Sequence, residues 1–278
     1  MKKKFFKKSN FLNIFVTILA ALYAVPMYTA VVNAFKSYKD MTLSPFTPPT
    51  KIYLDNFIEV MNKINLFVIY RNSLLITSVS VVLVVILSAM AAYPLARYTT
   101  RLNKFVSKFF IVGLMIPSGL SIISLIKLLM ILKISGTYLG LFLTYAGSAW
   151  ICLVIFMYVG FIKTVPKQLD ESAYIDGAGY FRTFWQIIFP VLKPCTGSAI
   201  IIASMGIWND FLTPFILLGG GDNAKTITLA IYNFAGKYTS RFNLIFTVML
   251  LSATPIIILF ILMQKQFIKG LTSGSVKG

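Results

Sequence analysis

Residues 171–194, ESAYIDGAGYFRTFWQIIFPVLKP, separate two long apolar runs and are themselves neither apolar nor simply basic. Asp170, Glu171 and Asp176 bring three of the chain's eight acidic residues to this one place. Pro166 can open a helix, because a proline at the first helical position gives up no hydrogen bond, and that helix is expected to run to about Ile175. Gly177 supplies the left-handed residue that ends it. Phe181, Phe184, Trp185 and Ile188, at i, i+3, i+4 and i+7, predict a second helix with one apolar stripe, leaving Arg182 and Gln186 on its other side. Pro190 and Pro194 bend the chain into the next apolar run. Two short helices meeting at a glycine, with the small residues Ser172 and Ala173 on the first, make a compact knob that another protein can approach closely.

Working outward, the flanking runs set the class. The chain is 58% hydrophobic and 12% charged, with a mean hydropathy of +0.81, where soluble domains carry about 25% charged residues. Only a polytopic membrane protein fits. Six spans are expected, at about residues 11–35, 72–96, 109–132, 138–161, 195–218 and 244–263, forming a single transmembrane domain over 1–278 with a loop at 163–193 and a tail at 264–278. The first run, 25 residues long, would reach about 38 Å as a helix, too long for the core of a signal peptide. Tyr93-Pro94 should kink the second span, and Pro117-Ser118-Gly119 should break the third. Residues 36–71, stiffened by Pro45, Pro48 and Pro49, form an outer segment with a short amphipathic helix around Asn56–Val60.

Six spans place both termini on one side. On that side fall 16 of the Lys and Arg residues, against 10 on the other, and the excess marks the cytoplasm. The 171–194 loop and both termini are therefore expected in the cytoplasm. The net charge of +18 is spread through loops between apolar runs, so it speaks for lipid headgroups and orientation rather than nucleic acid.

Chemistry of the chain's own is hard to find. It has no histidine, and no nucleophile or metal-ligating set surrounds its carboxylates, so neither an enzyme nor a metal site is expected. Residues 219–226, GGGDNAKT, approximate a phosphate-binding loop but have Ala where the second glycine is needed and no strand before them; a flexible turn is expected. Cys152 and Cys195 have no redox or metal spacing and should pack as small hydrophobes. Inside the spans, ionisable residues are costly and face a cavity or a partner. Lys127 can snorkel to the outer headgroups. Asp210 lies deeper, four residues before Pro214, so its carbonyl is the one the proline leaves unpaired. Trp208, Asn209 and Asp210 thus sit at an expected helix bend, with Tyr145 as a weaker companion. Substrate contact and a hydrogen bond to another helix or subunit both remain open for them.

Glu171-Ser172-Ala173, Asp176-Gly177-Ala178, Ile188, Pro190 and Pro194 resemble the EAA loop of permease subunits in binding-protein-dependent ABC importers, with Ser where the family usually has Ala. Trp208-Asn209-Asp210-Phe211 and the tail Lys269–Gly278 are similar to the carbohydrate-uptake branch, of the maltose-permease kind. The resemblance implies an all-α, six-helix type I importer permease in a bacterial plasma membrane. It would work with a second homologous permease, two ATPases that bind the ATP and Mg, and an extracytoplasmic sugar-binding protein. The substrate would be a sugar of the oligosaccharide class, moved by alternating access, and the chain itself would hold no cofactor. Glu171, Ser172, Ala173, Asp176, Gly177, Ala178 and Pro190 would form the ATPase-coupling loop, with Glu171 as a polar contact, Ser172 and Ala173 as the close-packed face and Gly177 as the turn. Gly270, Leu271, Thr272, Gly274, Lys277 and Gly278 would reach the interface between the ATPases; read on its own composition, this tail should lack fixed structure. The rival class is a secondary transporter or channel, which usually needs more buried acidic residues than Asp210 alone.

Overall fold

The computed structural model describes residues 2–219, 226–233 and 241–273, and every regular element among them is helical. The first part of the chain forms α1 (Lys2–Ala34), α2 (Tyr38–Leu43), α3 (Asp55–Lys63), α4 (Leu66–Arg97), α5 (Arg101–Met115), α6 (Ser118–Ile131), α7 (Tyr138–Ala146) and α8 (Ala149–Ile162). There follow α9 (Gln168–Ile175), α10 (Tyr180–Arg182), a π-helical turn (Thr183–Ile188) and α11 (Phe189–Val191). The last are α12 (Lys193–Asn209), α13 (Leu212–Leu218), α14 (Ile227–Asn233) and α15 (Phe242–Ser273).

Among the described residues, four stretches are long and apolar enough to cross a bilayer: Leu12–Ala34, Leu66–Arg97, Tyr138–Ile162 and Phe242–Gln264. Two bent pairs bring the number to six if each is one crossing. The expected third span is one of these pairs. Ile116, which precedes Pro117, is held extended with ψ 118°, the conformation a following proline favours, and α6 leaves α5 at 110°. The break foreseen at Pro117 is thus a sharp turn and not a kink in a straight crossing. The expected fifth span, 195–218, ends early: α12 stops at Asn209, and Asp210 is extended. By contrast α4 continues through Pro94 to Arg97.

Two compact units divide the chain. In the larger, Phe67–Leu229 with Pro255–Gly278, the core is built on small residues where helices approach. Ala89, Ala92, Ala199 and Ala203 are fully buried, as suits helix contact within a bilayer, where close packing supplies the attraction. Gly206 takes this furthest: a Cβ there would overlap the indole of Trp150, so α8 and α12 meet through a glycine. Cys195 lies in the same core, and Cys152 packs its Sγ against Gly113. Both cysteines behave as buried hydrophobes, as expected.

In the other unit, Met1–Leu66 with Ala230–Thr254, Asn56 closes the end of α1. Its Nδ2 donates to the carbonyls of Ala34 (2.9 Å) and Lys36 (2.7 Å), and its Oδ1 accepts from Asn243 Nδ2 at 2.7 Å. Carbonyls at a helix end lack partners within the helix, and here a buried amide provides them. Asn56 and Val60 are the buried side of the amphipathic α3. On its outer side Glu59 pairs with Lys63 and Arg241, and the Lys63 hydrogen bond holds its carboxyl below the usual range.

Candidate functional site

The knob begins two residues later than expected. Gln168 is the first helical residue, and the carbonyl of Pro166 accepts only the looser turn bond from Leu169 N–H at 3.4 Å. Its end is as foreseen. Gly177 is left-handed, with φ +73°. Gly177 N–H donates to the Tyr174 carbonyl (3.0 Å) and Ala178 N–H to the Ala173 carbonyl (2.9 Å), the bond pair of a Schellman cap. Glu171, Ser172, Tyr174, Ile175 and Asp176 are exposed, Tyr174 by 82% and Ile175 by 83%. Ala173 is buried within the chain at 2%. Its small size therefore serves packing beneath α9, and the outer face expected of Ser172 and Ala173 is made by Ser172, Tyr174 and Ile175 instead.

The second half departs from the 3.6-residue period. From Thr183 to Ile188 the backbone is π-helical, and each bond reaches five residues back. The wider turn brings Thr183, Phe184 and Ile188 inward and leaves Phe181 and Trp185 exposed, splitting the apolar stripe read from the sequence. Arg182 Nε donates to Gln186 Oε1 at 3.0 Å on the surface. Pro190 lies in α11 and Pro194 in the first turn of α12, and the chain bends by 78° between them.

Three residues tie this knob to the end of α4. Asp170 in α9 faces Arg97, with Nη2 and Oδ2 2.8 Å apart in an ion pair whose Arg side chain is 7% exposed. Tyr93 Oη donates to the other carboxylate oxygen at 2.5 Å. Arg97 Nη1 also donates to the carbonyls of Ile162 (3.2 Å) and Val165 (2.9 Å). The Tyr93 ring lies 5.0 Å from that of Tyr180 and 5.4 Å from that of Phe184.

Of the deeper candidates, Tyr145 and Asp210 meet. Tyr145 Oη donates to Asp210 Oδ2 at 3.1 Å, while Oδ1 accepts Thr213 N–H at 3.1 Å in the first turn of α13. The expected bend is a full break, because Asp210 leaves the helix and its carboxylate starts the next one. Asn209 is exposed and bonds back to its own helix through Met205. Trp208 is buried and stands on the wall of a cavity of about 580 Å³ between α4, α12 and α15. Valine, isoleucine and leucine side chains dominate that wall, with the hydroxyls of Thr77, Ser78, Thr196 and Ser204 among them.

The family of inner membrane components of binding-protein-dependent transport systems matches residues 84–273. This chain belongs to that family. The melibiose/raffinose/stachyose import permease protein MelC of Bacillus subtilis (strain 168) is 34% identical over 98% of each chain. The multiple sugar-binding transport system permease protein MsmG of Streptococcus mutans is 32% identical over 98% of this chain and 100% of its own. A crystal structure of a bacterial ABC transporter involved in the import of the acidic polysaccharide alginate has the same fold. Its TM-score is 0.81 at 17% identity, over 96% of this chain and 98% of that one.

Within this permease, sequence reasoning missed the partners of Asp170. Arg97 counted only as positive charge beyond a span, although an arginine one helical turn after Tyr93 shares its face. The tail falls partly outside the description. Gly270, Leu271 and Thr272 continue α15 in place of the unstructured chain expected from their composition, whereas Gly274, Lys277 and Gly278 lie outside the described residues.

Proposed function

We propose that the chain is the membrane-spanning permease of a sugar importer of the ABC class, with an oligosaccharide as substrate. The observation that carries this is the exposed knob of Glu171, Ser172, Tyr174, Ile175 and Asp176 on a helix closed by Gly177, in a chain whose relatives at 31–34% identity are named for the transport of melibiose, raffinose, stachyose or starch degradation products. A second homologous permease completes the pathway, two ATPases bind ATP and Mg, and an external binding protein delivers the sugar. The membrane is the bacterial plasma membrane, with the knob and both termini in the cytoplasm. The tail, Gly270 to Gly278, approaches the ATPases.

The exposed Tyr174 and Ile175 give a partner apolar area to cover, and Glu171 on the same helix gives one charge to place, which together fix register as well as affinity. Nucleotide-driven closure of the ATPases then displaces the knob, and the spans joined to it rock so that the pathway opens alternately to each side. Trp208, Asn209, Asp210 and Tyr145 stand along that pathway. A secondary transporter would need ionisable groups free to bind and release a coupling ion; Asp210 is engaged by Tyr145 and by Thr213 N–H.

Reconstitution tests this. Proteoliposomes holding the permease pair and ATPases should take up labelled raffinose or a related oligosaccharide only with ATP and the binding protein. Uptake by this chain alone, driven by a proton or sodium gradient, overturns the proposal.

A further inference from the structure

Tyr93 and Arg97 stand one helical turn apart at the inner end of α4, and between them they hold every segment that enters the knob. Arg97 grips the carbonyl of Ile162 at the end of α8 and that of Val165 in the connection to α9. The same guanidinium pairs with Asp170 in the first turn of α9. Tyr93 shares that carboxylate and lays its ring against Tyr180 and Phe184 in the second half of the knob. Tyr93 is 3% exposed, so this fastening is interior to the chain and not part of the outer surface formed by Glu171, Tyr174 and Ile175.

The chemistry of these contacts differs from that of the surrounding packing. Apolar side chains attract without preferred direction, and packed helices can slide past one another at small cost, which is the basis of shear motion. A guanidinium is planar, with donors fixed in direction. Its Nη1 donates to two backbone carbonyls while its charge pairs with the Asp170 carboxylate, whose other oxygen accepts from Tyr93, so the group resists displacement along and across the helix. Asp170 is also the residue next to Glu171, so a push on the outer face of α9 reaches its carboxylate through one peptide unit. The far end of α4 carries Leu74, Thr77, Val81, Val82 and Ile86 on the wall of the cavity. A helix that is gripped rigidly at one end and lines a cavity farther along has the geometry of a lever.

We propose that Arg97 and Tyr93 are positioning residues that transmit displacement of the knob to α4 through Asp170, making α4 the first membrane helix to answer the ATPases. This rests on the knob being the ATPase contact. It adds that the motion is conveyed by a polar tether and not by the apolar packing of Phe184 and Ile188.

The experiment uses the assembled importer with Cys152 and Cys195 replaced by alanine and one reporter cysteine at Val82→Cys on α4, where the side chain is exposed. Its labelling rate by a water-soluble maleimide is compared without nucleotide and with ATP plus vanadate. In the parent protein the nucleotide should change that rate. Asp170→Asn and Tyr93→Phe should keep the ATPases bound and hydrolysing ATP, yet shrink the change at least about fivefold, the lower end of typical coupling between sites. Asp170→Glu should restore part of it.

Tyr93→Phe removes one oxygen and keeps the ring, so it decides the matter if Asp170→Asn fails to insert. A full nucleotide response in these variants, no response in the parent, or loss of the ATPases from both variants overturns the proposal. Glu171→Lys separates the two levels. If it retains the ATPases and the response, the docking of the knob itself is wrong. If it loses them while Tyr93→Phe responds as the parent does, only the tether is wrong.

Discussion

The carbonyl of Asp210, an extended residue between α12 and α13, accepts a hydrogen bond from Thr228 Oγ1 at 3.2 Å. Thr228 Oγ1 also lies 3.1 Å from Thr226 Oγ1, and the neighbouring Ile227 N–H donates to Ser73 Oγ at 2.8 Å. The broken end of α12, the first turn of α14 and α4 are thus joined by hydroxyls where the backbone has no other recourse.

Thr228→Val keeps the shape and removes the hydroxyl, leaving that carbonyl without its partner. A buried polar group left unsatisfied costs about 1–3 kcal/mol. The purified permease should therefore melt several degrees lower, while Thr228→Ser, which can still donate, should melt closer to the parent. Equal melting temperatures for the parent and the valine variant would show that water takes over the carbonyl.

Asp210 and Trp208 are expected to matter beyond folding. Asp210→Asn keeps the cap on Thr213 N–H but gives up the charge that strengthens the bond from Tyr145. Uptake per inserted molecule should fall about tenfold, equivalent to ~1.4 kcal/mol, in line with the loss of one charge-assisted bond. Trp208→Ala should do the same by emptying one wall of the cavity. The control is abundance of the permease pair on a blot: if uptake falls only in proportion to the assembled complex, these residues serve packing alone.

Gly206 gives a prediction on packing. A Cβ at this position would strike the Trp150 indole, and overfilling a packed site costs about 1–3 kcal/mol. Gly206→Ala should lower the melting temperature, and combining it with Trp150→Phe should recover part of the loss, because residues in contact do not act additively. A sum of the two single effects would mean that α8 and α12 adjust independently.

What could be read from the sequence was what local chemistry dictates. Gly177 ends α9, and the apolar runs mark the crossings; the Asp210 carbonyl lacks a helical partner because the residue is extended, not because of Pro214. What could not be read was any feature set by distant partners. The 110° turn after α5 needs more than Pro117, because the same residue type leaves α4 continuous at Pro94. The π-helical turn from Thr183 hides in a stretch with faultless 3.6-residue periodicity; Phe184 and Ile188 are buried there and Phe181 is not. Arg97 bonds to carbonyls more than sixty residues away, and only the fold brings them together.

The knob allows its turn and its charge to be tested apart. Gly177 has φ +73°, where a β-carbon costs roughly 1–2 kcal/mol, whereas asparagine tolerates this conformation. Gly177→Asn should therefore keep the ATPases bound, and Gly177→Val should release them by turning Glu171 and Tyr174 away from their common face. Glu171→Lys leaves the turn intact and reverses the charge, so it should insert and pair normally but abolish uptake. Co-purification of the ATPases with each variant gives the measure. If the valine variant retains them as well as the asparagine variant does, the Schellman turn is not what presents the knob; if Glu171→Lys also transports at the parent's rate, the ATPases dock elsewhere on the chain.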